Sequence, residues 1–183
     1  MLKALKQTTF YKWYKRRREW RKLRRWSRKD EVARSFYGQF IKADDLCFDV
    51  GANMGTRVRV FRKLGARVVA VEPQPSCLSF LHKEYDGDDE VCLVESALGV
   101  EKGEAELHLS DAHTLSSMSE EWLKAVKASN RFGKARWQET ITVPVTTLDM
   151  LVEQHGEPSF VKIDVEGYER EVLAGLSRAL PCL

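Results

Sequence analysis

The sequence predicts an α/β domain built on a mostly parallel sheet flanked by helices. Three observations predict it. Short runs of β-branched and apolar residues, DLCFDV (45–50), RVVAV (67–71) and VCLVESAL (91–98), alternate with segments of helical periodicity. A glycine-bearing loop, GANMG, carries the chain from the first run into its helix, and the second run closes on an acid, Glu72, before PQP. Parallel neighbours need crossover connections, so strand, helix, strand, helix, strand describes a right-handed βαβαβ unit.

In order along the chain, residues 1–29 stand apart by charge. They carry 13 Lys and Arg against the single acid Glu19, a net of +12, so with a total of +3 the remaining residues 30–183 sum to −9. Leu2, Leu5, Phe10, Trp13, Trp20 and Leu23 fall on one side at 100° per residue, which predicts a basic amphipathic helix appended to an acidic body. Such a helix suits weak contact with an anionic membrane surface, or it leans its Trp stripe on the body; an Arg-rich mitochondrial presequence is a further alternative. No nucleic-acid motif accompanies the charge, so specific nucleic-acid binding is not expected.

At 183 residues, 43% of them hydrophobic, the chain has the size of one domain with a single core. No apolar run reaches the length of a membrane span, and the N-terminus lacks the apolar stretch of a secretory signal. Cys47, Cys77, Cys92 and Cys182 are scattered without a CxxC, which argues against a zinc site or a disulfide framework. A cytoplasmic protein is expected, peripheral at a membrane surface if the extension binds lipid.

After the first strand, Val58, Phe61 and Leu64 recur at helical spacing and Gly65 follows as a stop. Residues 76–85 repeat the pattern through Leu78 and Leu81, DGDD turns the chain, and VCLVESAL reads as one third strand. EAELHLS (104–110) alternates strictly and predicts a half-exposed strand. Ser119 caps a short helix with Glu120 and Glu121 in its first turn. ETITVPVTTL is a strand that Pro144 assigns to an edge or a strand end. TLDMLVEQHG is a helix stopped by Gly156, FVKIDV a fourth buried parallel strand, and GYEREVLAGL its helix. The chain then stops where a fifth strand is due, so the sheet is expected to be incomplete at the C-terminus.

The loop after the first strand points to a nucleotide-like ligand. A dinucleotide loop needs G-x-G-x-x-G, whereas the corresponding positions here are Gly51, Asn53 and Thr56. The spacing is instead acid, x, Gly, x, Asn, x, Gly: Asp49, Gly51, Asn53, Gly55. A carboxylate at that place suits a ligand with a positive group near the turn, such as the α-ammonium of a methionine moiety, with loop amides receiving its carboxylate. Glu72 is placed to accept both ribose hydroxyls of either NAD or S-adenosyl-L-methionine. Alternatively the glycines only shape a tight turn, or the domain is a non-catalytic module that binds anionic surfaces through residues 1–29.

FDVGANMGTRVRVFRKLGARVVAVEPQPSCLSFL, VPVTTLDML and VKIDVEGYEREVLAGL resemble, in this order, the FkbM-type S-adenosylmethionine-dependent methyltransferases, over roughly residues 46–180. The resemblance implies a Rossmann-like class I methyltransferase fold, S-adenosyl-L-methionine as cofactor, and methylation of a hydroxyl on a sugar, glycan or secondary metabolite. It also implies that Asp49, Gly51, Asn53 and Gly55 form the cofactor loop and Glu72 the ribose site.

The strand period of KIDVEG puts Lys162, Asp164 and Glu166 on one side, at the carboxyl edge where open α/β sheets bind ligands. Asp164 is the first candidate for the base or acceptor-orienting group and Glu166 the second, since a hydroxyl acceptor needs a proton acceptor in line. Glu166 alternatively favours the N-terminus of the following helix, a role that Glu169 suits better. Ser96 and Ala97, at the end of the third strand, are cofactor contacts by position, while His113, Ser116 and Ser117 lie in a loop at the site's mouth. Two carboxylates without a third ligand do not predict a metal.

Overall fold

The computed structural model of the chain describes residues 20–21, 24–110, 116–129 and 137–180; His113 and nearly all of the basic extension lie outside these described residues. The elements are α1 (Arg28–Tyr37), β1 (Leu46–Val50), α2 (Val58–Lys63), β2 (Arg67–Val71), α3 (Pro75–Tyr85), β3 (Val91–Val94), β4 (Ala97–Leu98), β5 (Gly103–Ser110), α4 (Glu120–Ser129), β6 (Trp137–Thr146), α5 (Leu148–His155), β7 (Phe160–Ile163) and α6 (Glu169–Ala174). The fold is α/β and Rossmann-like, as expected.

β3, β2, β1 and β7 form a four-stranded parallel sheet in that order. The chain moves outward from β1 to β3 and then returns to the other side of β1, which places a topological switch point between β1 and β7. Alternating side chains feed two cores. Cys47, Val68 and Ala70 face Val58, Phe61, Leu78 and Leu81, whereas Leu46, Phe48, Val50, Val69 and Val71 face Leu148, Leu151 and Val172. Strands buried on both faces need continuous apolar runs, and β1 and β2 supply them. β7 departs from the expected pattern: every residue in it is half-buried, because among the described residues it is the edge of the sheet.

Capping residues set the helix starts. Ser27 and Asp30 form a reciprocal capping box on α1, and buried Asp30 also accepts from Arg59 Nε at 3.0 Å, tying α1 to α2. The change in charge at residue 29 thus falls inside α1. Thr147 caps α5 through the Met150 N–H, Ser119 accepts from the Trp122 N–H at 3.1 Å, and Gly156 ends α5. From the extension, Trp20 meets Phe80 edge-on with Lys83 over its ring, and Arg24 pairs with Glu84.

Two strand assignments are corrected. The third run is two strands in two sheets, because β2 ends at Val71 and Pro73 turns away, leaving a longer β3 without a partner; after Ser96 the chain joins β6 as β4. β6 is the centre of a second sheet, β4-β6-β5, and not an edge. Pro144 is tolerated because the β4 ladder begins only at Val145, so one side of β6 is unpaired where the proline sits.

Candidate active site

A cavity of about 350 Å³ opens at the carboxyl ends of β1, β2 and β7, over the switch point. Gly51, Asn53, Glu72, Ser96, Ala97, Asp164 and Glu166 line it; Asp49 and Gly55 do not. The second sheet and the segment before α4 close the far side with Ala97, Leu98, Leu107, Ser117 and Met118. Ala97, Ser116 and Ser117 were expected near the site and line it, whereas Leu98, Leu107 and Met118 escaped the sequence reading, although the alternation of Leu107 with polar neighbours was a signal.

The loop after β1 folds tightly on β2. Gly51 has a φ of +75°, and a Cβ there would stand 2.1 Å from the Asp164 carbonyl oxygen, so only glycine lets the ends of β1 and β7 approach this closely. Asn53 takes a left-handed φ of 50°, which Asn tolerates, and its Oδ1 accepts from the Met54 N–H at 2.9 Å. The Gly51 and Ala52 N–H groups both donate to the Val71 carbonyl, Asn53 N–H donates to Glu72, and Gly55 N–H donates to the Ala52 carbonyl. All five amides from Gly51 to Gly55 therefore have partners within the protein, and the expectation that they are open to a ligand carboxylate is not met. Gly55 stands behind the cavity, where a Cβ would strike Leu81 and Tyr85 at 2.9 Å.

Glu72 is buried, with its two oxygens accepting the Asn53 N–H at 2.7 Å and the Gln74 N–H at 2.9 Å. Burial pushes its pKa up to about 7, against the pull of those two amides. Each oxygen keeps one lone-pair direction, enough for a pair of hydroxyls presented from the cavity.

Asp49 is fully buried. In the parallel register it lies beside Lys162, whose Nζ is 3.0 Å from Oδ1. The contact is an ion pair off the hydrogen-bonding direction, and among the described residues neither Asp49 oxygen receives an aligned hydrogen bond. Burial holds this carboxyl above the usual carboxylate range, against the Lys162 charge. The same ammonium donates to the Gly51 carbonyl at 3.1 Å and stands 3.5 Å from Asp164 Oδ2. Sequence reasoning placed Lys162 on the site's side of the strand but gave it no role; a lysine inside an otherwise apolar strand was the available signal.

The strand period does not carry through KIDVEG. β7 ends at Ile163, because its partner β1 ends at Val50 and the last rung is the Asp164 N–H to the Val50 carbonyl. Glu166 then takes a φ of 52°, outside the range most side chains adopt. It is pinned there: Ser117 Oγ donates to its carbonyl at 2.7 Å, and Glu169 accepts from the Val165 and Gly167 N–H groups on either side. Glu169 also stands in the first turn of α6, the favourable place for an acid at a helix start. Burial, with the nearby Asp164 and Glu169 charges, raises the Glu166 carboxyl. Asp164 is the more exposed acid, its side chain 64% accessible.

Ser96 and Ala97 line the cavity from the crossing between β3 and β4. Among the described residues no group of three or more His, Cys, Asp or Glu side chains could hold a metal ion, and no helix is long and apolar enough to cross a membrane.

The chain is 31% identical over 141 residues to the hexuronic acid methyltransferase AglP of Haloferax volcanii, an alignment covering 75% of this chain and 52% of that protein. It spans about half the length of this curated relative. Among solved structures, precorrin-6y C5,15-methyltransferase of Geobacter metallireducens overlaps 34% of this chain and 37% of its own at 23% identity, with a TM-score of 0.31. The methyltransferase FkbM domain matches residues 49–182, from the buried aspartate of β1 to beyond α6, and on that match the chain belongs to the FkbM methyltransferase family.

Proposed function

We propose that the chain forms the donor-binding part of an S-adenosyl-L-methionine-dependent O-methyltransferase whose acceptor is an oxygen of a sugar or sugar acid. The observation that carries the reading is the buried carboxylate of Glu72 in the wall of a nucleoside-sized cavity at the switch point of a methyltransferase-family sheet. When bound, the donor supplies a methyl group on a sulfonium. Glu72 would take the two ribose hydroxyls, and Ser96 and Ala97 would border the base. Asp164 would receive the acceptor's proton, with Glu166 as its second. The sugar assignment draws on AglP, whose acceptor is a hexuronic acid.

Isothermal titration with S-adenosylhomocysteine tests the donor. Saturable binding that weakens in Glu72→Ala supports it; binding of NADH in its place would favour an NAD-binding oxidoreductase, the alternative that a ribose-holding Glu72 also allows. Transfer of labelled methyl to uronic acid and neutral sugar glycans, scored by mass spectrometry, tests the acceptor.

A second reading concerns location. Four of the six large exposed hydrophobics among the described residues, Trp26, Val32, Phe36 and Phe40, fall within one short stretch. Exposed Arg21, Arg25, Arg28 and Lys29 adjoin them. Aromatic and basic side chains side by side favour the surface of an anionic bilayer, and we infer a peripheral contact there.

A further inference from the structure

The cavity carries a fixed cation of its own. Lys162 Nζ sits among Asp49 Oδ1 at 3.0 Å, the Gly51 carbonyl at 3.1 Å and Asp164 Oδ2 at 3.5 Å, a set of oxygens suited to an ammonium group. Its side chain is 14% accessible and lines the cavity, while Asp49 is completely covered behind it. A ligand's positive group therefore meets the Lys162 ammonium before it can meet Asp49.

We propose that Lys162 is a positioning residue: it neutralises the buried Asp49 and, through the same nitrogen, fixes the exposed Asp164 carboxylate as the group that faces a ligand's ammonium. The proposal rests on the donor reading above. It changes the role of Asp49, which then acts on a ligand only through Lys162, and it turns Asp164 to the donor's ammonium, which leaves Glu166 to receive the acceptor's proton. An isolated buried carboxylate is costly, so losing Lys162 alone leaves Asp49 to take up a proton, whereas losing both charges removes the conflict. Losing Asp49 alone leaves Lys162 bound to Asp164, in competition with a ligand cation.

The experiment is a double-mutant cycle on the full chain, reading the Kd for S-adenosylhomocysteine by calorimetry, with melting temperature alongside. Lys162→Met should weaken binding by about tenfold, and Asp49→Asn/Lys162→Met should regain melting temperature while binding no better than Lys162→Met, because Asp164 has lost the ammonium that fixes it in both. Beyond the pH dependence that Glu72 gives every variant, binding by Lys162→Met should gain a further one that the double variant lacks. Direct contact between Asp49 and the ligand would leave Lys162→Met binding as tightly as wild type or more tightly, and that result overturns the proposal. So does a cycle in which melting falls but Kd is unchanged, the signature of a structural ion pair. Should Lys162→Met fail to fold, Asp164→Asn on the exposed side decides: the proposal requires weaker binding at unchanged melting temperature, and unchanged Kd refutes it. A wild-type chain that does not bind S-adenosylhomocysteine overturns the donor reading itself, which the other outcomes leave standing.

Discussion

The Asn53 N–H donates to Glu72 Oε2 at 2.7 Å, joining the loop after β1 to the end of β2 through a buried carboxylate. Its burial-raised pKa, about 7 against an ordinary 4.5, makes this contact sensitive to pH. Between those values the native state keeps a proton that the unfolded chain has lost. Stability therefore falls as pH rises through that window, is fully present below it and levels off above it. Glu72→Gln should remove this contribution, so its melting temperature relative to wild type should climb between about pH 5 and about pH 8. S-adenosylhomocysteine affinity of the wild type should strengthen as pH passes about 7, when the carboxylate can accept both hydroxyls, and stay weak and flat in Glu72→Gln. Parallel pH profiles for the two proteins would refute the assignment.

Gly51→Ala should be among the most damaging single-methyl additions. The added Cβ lies 2.1 Å from the Asp164 carbonyl oxygen, a backbone atom that cannot swing aside, and the φ of +75° is itself unfavourable for alanine. Together these cost at least about 2 kcal/mol, or a melting temperature lower by roughly 4–8 °C in a chain of this size. Gly103→Ala is the control, since nothing lies within 4 Å of its added Cβ. Equal melting of the two variants would show that β1 and β7 are not pressed together as described.

Much of this site was legible because its signals are local. Asp49, Gly51, Asn53 and Glu72 sit in or beside one strand-to-helix turn, and the apolar runs of β1 and β2 fix where that turn must be. What escaped depends on contacts between distant segments. The pairing of Lys162 with Asp49 follows from the register of β7 on β1, 113 residues apart, which no local pattern states. The splitting of VCLVESAL into β3 and β4 follows from where β2 runs out, and the central place of β6 from how short β4 is. The strand period stopped two residues early because β1, the partner of β7, runs out at Val50, and the chain then turns left-handed at Glu166.

Glu166→Gly separates stability from chemistry. The native backbone has φ 52° there, a conformation costing a side chain roughly 1–2 kcal/mol that glycine escapes, partly offset by the greater freedom of glycine when unfolded. The substitution also removes a carboxyl crowded by Asp164 and Glu169. Melting temperature should stay level or rise, while methyl transfer to a sugar acceptor falls at least tenfold if the loop geometry and its carboxylate serve the reaction. Full activity in this variant would remove Glu166 from the chemistry and would count against giving Asp164 to the donor's ammonium, since Asp164 would then be the base.

The band of Trp26, Val32, Phe36 and Phe40 gives the last prediction. Val32 and Phe36 are one helical turn apart on α1, and Phe40 meets Phe36 edge-on with ring centroids 5.5 Å apart, so the three present a common face. Val32 is 64% exposed and both Phe residues 53%, which is costly in water unless something apolar covers them. Each neighbouring Lys or Arg near an anionic leaflet adds about 1 kcal/mol, enough for several together to give measurable association. The chain should therefore sediment with vesicles containing phosphatidylserine, less so as salt shortens the Debye length, and not with neutral phosphatidylcholine vesicles. Val32→Ser/Phe36→Ser/Phe40→Ser should reduce the retained fraction at every salt concentration, because it deletes the apolar share of the contact while leaving the charge intact. Binding that the triple variant leaves unchanged would assign the association to charge alone, and no binding even at low salt would end the membrane reading.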